Sequence, residues 1–124
     1  MDTGEVVEAP LIVEAIKSHK FIYSTEKQLQ EGIAQVLHDK NIPFEREKRI
    51  SQKEVIDFLV AGGIGLEVKT KGSPSEVARQ LLGYAACPGV KELMLVTGRY
   101  ALGKLPKELL GKRLSVVALW ENFL

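Results

Sequence analysis

The sequence predicts a single α/β domain, and three observations carry that prediction. Apolar residues recur at helical spacing in two capped segments. Short β-rich runs lie between and after those segments. The 124 residues are 45% apolar and 27% charged, enough to bury one real core and too apolar for wholesale disorder.

Each element follows from local chemistry. Residues Met1 to Ala9 are acidic and read as loose. Pro10 to His19 is a short apolar block that fits a helix or a strand. Thr25 can cap a helix, with Gln28 three residues later completing a capping box. Leu29, Ile33, Val36 and Leu37 then recur at helical spacing, so Glu26 to Lys40 reads as an amphipathic helix. Pro43 disfavours helix at the residue before it.

Phe44 to Ile50 and Glu54 to Val60 read as strands. Ala61-Gly62-Gly63 makes a turn, and Ile64 to Lys71 returns as the second arm of a hairpin. Ser73 or Ser75 caps a second helix, with Pro74 tolerated in its first turn, and Pro88-Gly89 stops it after Cys87. Glu92 to Thr97 is an apolar run of the kind that fills a sheet interior. Leu105 to Leu110 reads as a short helix and Leu114 to Trp120 as a last strand. Trp120 and Phe123 read as core or an interface edge.

Composition excludes several classes. One cysteine, Cys87, cannot form an intramolecular disulfide and fits a reducing compartment. No run approaches the ~20 apolar residues that span a bilayer. Leu11 to Val13 is cut by Glu14, so no secretory signal is visible. The expectation is a cytoplasmic, intracellular protein with no membrane partner. The net charge of +1 neither demands nor forbids nucleic acid. No repeat or linker divides the chain, so residues 1–124 read as one domain, of which 1–20 can be an N-terminal extension. His19 and His38 have no neighbouring ligand-type residues at metal-site spacing and are assigned no chemistry.

The hairpin holds the informative constellation. With the turn centred on Gly62, Asp57 lies opposite Glu67, and side-chain alternation puts Lys69 on the same face. Ile56, Phe58, Val60, Ile64, Leu66 and Val68 are expected on the other, apolar face. Directly opposed like charges destabilise a sheet, and a divalent cation between them removes that penalty. Magnesium suits one or two carboxylates completed by waters and phosphate oxygens, and Lys69 would lie beside the metal-bound water. That is equipment for metal-assisted phosphodiester hydrolysis. The same residues also fit an ordinary solvated sheet face in which Lys69 neutralises Glu67.

These residues resemble the PD-(D/E)XK nuclease superfamily, whose motif is an aspartate ending one strand and a Glu-x-Lys on the next. Here these are Asp57 and Glu67-Val68-Lys69; the motif's proline is replaced by Ile56. The resemblance covers Thr25 to about Thr97 and implies a restriction-endonuclease-like αβββαβ core, a mixed central sheet flanked by helices. It further implies a glutamate from the first helix. Glu26 falls on the apolar side of the helical wheel at about 100° per residue, whereas Glu31 falls on the solvent side. Gln80 and Tyr84 are similar to the Gln-x-x-x-Tyr element of the RecB-type branch.

The resemblance implies a Mg2+-dependent deoxyribonuclease, with Mn2+ able to substitute. Asp57, Glu67, the Val68 carbonyl and Glu26 would serve the metal. Lys69 would act on the attacking water, Gln80 would orient substrate or lysine, and Tyr84 would support the site. DNA is the implied partner, a homodimer is compatible, and the small core favours structure-selective or non-specific cleavage. The rival expectation is a non-catalytic DNA-binding or assembly module on the same fold.

Overall fold

The computed structural model describes residues 7–120; the acidic residues 1–6 and Phe123 lie outside them. Helix α1 (Ala9–Lys17) has Pro10 in its first turn, where a missing N–H costs nothing. Its Ile12 and Ile16 are fully buried, each worth roughly 1.5–3 kcal/mol of burial. The undecided N-terminal block is therefore a helix of the core. Helix α2 (Glu26–Asp39) starts at the expected capping box, Thr25 with Gln28. It buries the four predicted residues Leu29, Ile33, Val36 and Leu37.

Strands β1 (Phe44–Arg49), β2 (Val55–Val60) and β3 (Ile64–Lys69) form an antiparallel meander. Helix α3 (Pro74–Ala85), with a second capping box at Ser73 and Glu76, crosses over to β4 (Glu92–Thr97). β4 lies parallel to β3, and β6 (Lys112–Ala118) lies parallel to β4. With β5 (Glu108–Leu109), the described residues form a mixed six-stranded sheet in the order β1-β2-β3-β4-β6-β5.

Two cores flank this sheet. One joins α1 and α2 to Phe58, Val60, Ile64, Leu66, Val68, Met94 and Val96. The other joins α3 to Ile56, Leu93, Leu95 and Leu114. Among the described residues no helix is long and apolar enough to cross a membrane.

Two expectations are corrected. Leu105 to Leu110 is not a helix. A 3-10 turn occupies Tyr100–Lys104, and β5 (Glu108–Leu109) pairs with β6. Leu110 and Gly111 connect them with φ of 52 and 77. That is the paired positive φ of a tight hairpin turn matched to strand twist. Ile56 is also not on the Phe58 face: it packs in the α3 core. A Cβ on Gly65 would lie 2.6 Å from Ile56 Cδ1, so the bare glycine on β3 provides the room that Ile56 fills. Glu47, the residue of β1 facing this stretch, has φ 46, a local departure from a regular pleat.

Candidate active site

The register of the hairpin is the expected one: Val60↔Ile64, Leu59↔Gly65 and Phe58↔Leu66. At the next position the carboxylates take over the cross-strand bonding. The Asp57 N–H donates to Glu67 Oε1 at 3.1 Å. The Val68 N–H donates to Asp57 Oδ2 at 2.8 Å. Each acid thus accepts an amide proton from the opposite strand and is fixed by the sheet itself.

Glu67 is only 3% exposed because α3 covers this face, so the solvated-face account does not hold for it. Burial pushes its carboxyl up to about 8, with the Asp57 charge adding to the rise. Burial also raises Asp57, against the Val68 amide, and the nearby Glu26 charge raises it further. Both acids move up chiefly because their charged forms are poorly solvated there; the Asp57 charge adds to the rise of Glu67, while the hydrogen bond with Glu67 works the other way on Asp57. In the free protein the pair therefore retains a proton at neutral pH.

Three residues surround Glu67. Lys69 Nζ lies 3.6 Å from Glu67 Oε2, with the lysine side chain 22% exposed. The Tyr84 hydroxyl lies 3.0 Å from Glu67 Oε2 and 3.2 Å from the Val55 carbonyl. It accepts from Gln80 Nε2 at 2.8 Å. One hydroxyl proton serves either the carboxylate or the carbonyl, and burial together with the Glu67 charge holds the phenol above its ordinary pKa.

Glu26 enters from the other layer. It is the first residue of α2, and its Oε1 accepts from the Thr70 N–H at 2.9 Å and the Thr70 hydroxyl at 3.3 Å. It thus sits at the end of β3, close enough for its charge to be felt by Asp57. Glu31 instead pairs with Arg46.

The expected residues Asp57, Glu67, Lys69, Gln80 and Tyr84 form one hydrogen-bonded and ionic cluster, with Glu26 at its margin. Val68 contributes its N–H, while its side chain is core. Thr70 was not anticipated: it follows Lys69 directly, but nothing in the sequence ties it to a glutamate 44 positions earlier.

The location agrees with a binding role, because ligands of open α/β sheets lie beyond the carboxyl ends of parallel strands. Lys69 ends β3 beside Thr97, which ends β4. Among the described residues no group of three His, Cys, Asp or Glu side chains is placed to hold a metal. The hairpin acids are a pair of hard oxygen donors, a number that suits magnesium when waters complete its shell. Placing a cation against them would offset the burial cost of both charges and the repulsion Asp57 exerts on Glu67. No protein-family model matches the chain, and no curated protein matches it.

Proposed function

We propose that this chain is a Mg2+-dependent deoxyribonuclease of the PD-(D/E)XK kind, cleaving DNA phosphodiesters without reading sequence. The observation that carries the reading is the Asp57–Glu67 pair across β2 and β3, Glu67 buried and Asp57 half-buried, with Lys69 Nζ 3.6 Å from Glu67 Oε2. Two neighbouring acids that burial pushes above their ordinary pKa are costly to keep in a fold; a cation-binding role accounts for them. The element order, helix, three-stranded meander, helix, parallel strand, supports the restriction-endonuclease-like core.

Asp57 and Glu67 would hold Mg2+ or Mn2+, with the Val68 carbonyl as a further ligand and Glu26 acting through water. A bound divalent ion supplies Lewis-acid polarisation of the phosphate and a lowered pKa for water. The chain's residues do the rest. Lys69 orients the attacking water and stabilises charge on the phosphate. Tyr84, itself held by Gln80, fixes the position of the Glu67 carboxyl. Thr70 keeps Glu26 turned toward the site.

A second reading has its own support. Each hairpin acid already accepts a backbone amide, as a purely structural brace would. On that reading the chain is a DNA-binding or assembly module without catalysis. Incubation with single-stranded, duplex and branched DNA separates the two. Wild-type protein should cleave with Mg2+ or Mn2+ and not with chelator, and identically purified Lys69→Ala should be inactive. Binding without cleavage on every substrate would overturn the nuclease reading.

A further inference from the structure

Beside the cluster lies a second feature that the proposed chemistry leaves unused. The segment joining α1 to α2, His19 to Tyr23, lies in no helix or strand. It closes one side of a cavity of about 210 Å3 lined by His19, Lys20, Phe21, Tyr23, Gly98 and Trp120. Leu119 completes the lining, which is four rings, one cation, one glycine and one leucine.

The chain leads from this cavity to the acids by two short routes. Tyr23 precedes Glu26 by three residues. Gly98 follows Thr97, the register partner of Lys69, one strand spacing of ~4.8 Å away.

Several details set this cavity apart from a gap in packing. Gly98 has no side chain, and a Cβ there would lie 2.2 Å from the Tyr23 hydroxyl. The phenol therefore rests on bare backbone at the end of β4. Phe21 is seated on Gly32 of α2, 2.9 Å from where a Cβ would be, which fixes its ring. Trp120 packs against Tyr100, with ring centroids 5.4 Å apart, and it covers Gly103. Fixed rings bind flat ligands with little ordering cost. From the same segment Ile22 is 99% exposed, an apolar side chain with no folding role. Side chains of that type enter between base steps in proteins that unstack DNA.

We infer that this cavity receives an unpaired nucleobase of the DNA strand whose phosphate meets Asp57, Glu67 and Lys69. The inference rests on the nuclease reading and names its substrate class: DNA with an unpaired nucleotide at the cut, in a single strand or at a branch. Aromatic faces take any base by stacking, so the preference is for strandedness and not for sequence. Lys20, on the exposed side of the cavity, is placed to meet the adjoining phosphate. Ile22 separates the bound base from its neighbour.

The chain has one tryptophan, and it lines this cavity, so its fluorescence reports occupancy directly. The experiment titrates full-length protein with oligothymidylate and with a blunt duplex, in chelator, where cleavage does not occur. Anisotropy of labelled DNA is read alongside. Oligothymidylate should quench Trp120, and the duplex should not. Tyr23→Leu, which keeps apolar bulk on Gly98, should weaken oligothymidylate binding about tenfold, the usual effect of losing one stacked base. Lys20→Ala, on the surface and safe for folding, should weaken it severalfold.

Oligothymidylate that binds by anisotropy without quenching would overturn the inference, as would binding unchanged in both variants or no binding at all. These readouts need no metal and no turnover. Failure of cleavage with quenching intact would count against the nuclease reading alone. Normal cleavage of every substrate without quenching would count against the cavity alone.

Discussion

Replacing Glu67 by glutamine should make the metal-free protein more stable, by an amount that is near zero below the unfolded carboxylate range and grows as pH rises toward about 8. Glu67 is pushed from 4.5 up to about 8 by burial and by Asp57. An acid whose folded pKa lies above its unfolded value destabilises the fold. Stability is full below the unfolded pKa and is lost as pH rises through the folded one, because the native state binds the extra proton between them. At ~1.4 kcal/mol per pKa unit, the wild-type cost above that range has a ceiling of roughly 5 kcal/mol.

The amide keeps most contacts. Its oxygen can still accept the Asp57 N–H, and its NH2 can donate to the Tyr84 oxygen, leaving the phenolic proton for the Val55 carbonyl. It loses the Lys69 attraction, which spans 3.6 Å at a partly exposed lysine. After that loss, and because the repulsion is shared with Asp57, a net gain of about 1–3 kcal/mol remains. Urea unfolding of the chelated protein at about pH 5 and about pH 9, followed by Trp120 fluorescence, measures it. The variant should match wild type at the lower pH and exceed it at the higher. A variant less stable at both would refute the claim that this pair is electrostatically strained.

Three further outcomes follow from the same geometry. In wild type, added Mg2+ should raise the melting temperature more at about pH 9 than at about pH 5, since the ion competes with the retained proton; a pH-independent gain in calorimetry would argue against the hairpin acids as its site. Thr25→Ala removes the capping-box acceptor beside Glu26, so it should cost about 1 kcal/mol and lower cleavage by loosening the first turn of α2; paired melts and single-turnover rates test this. Gly65→Ala puts a Cβ 2.6 Å from Ile56 Cδ1 and 3.3 Å from Val90 Cγ1, an overpacking that should cost roughly 1–3 kcal/mol in denaturant midpoint.

What the sequence made legible was local or periodic. Both capped helices, the hairpin register and the span Glu92–Thr97 follow from capping residues, spacing and a glycine turn, and each matches the structure. Two of its failures, Ile56 and Thr70, concern what lies across the fold. Alternation assigned Ile56 to the Phe58 face because a uniform pleat carries no information about Gly65 opposite. Leu105 to Leu110 has helix-compatible spacing, yet positive φ at Leu110 and Gly111 makes a hairpin turn, and Gly111 was its one local sign. Asp57, Glu67 and Lys69 were readable because their proximity is set by one short turn. Thr70 was not readable as the partner of Glu26, since 44 positions separate them in sequence and only the packing of α2 on the sheet brings them together.

The exchange of backbone for side-chain bonding at Asp57 has a dynamic consequence. Two amide protons, those of Asp57 and Val68, are held by carboxylates and not by ladder carbonyls. A carboxylate that turns toward a cation weakens its amide bond, and one that gains a proton accepts less strongly. Those two amides are therefore built-in sensors. Their hydrogen-exchange rates and chemical shifts should respond together to pH and to divalent ions, while the Phe58–Leu66 rung beside them stays protected. Opening of the sheet and occupancy of the site are then one coordinate, seen from the backbone.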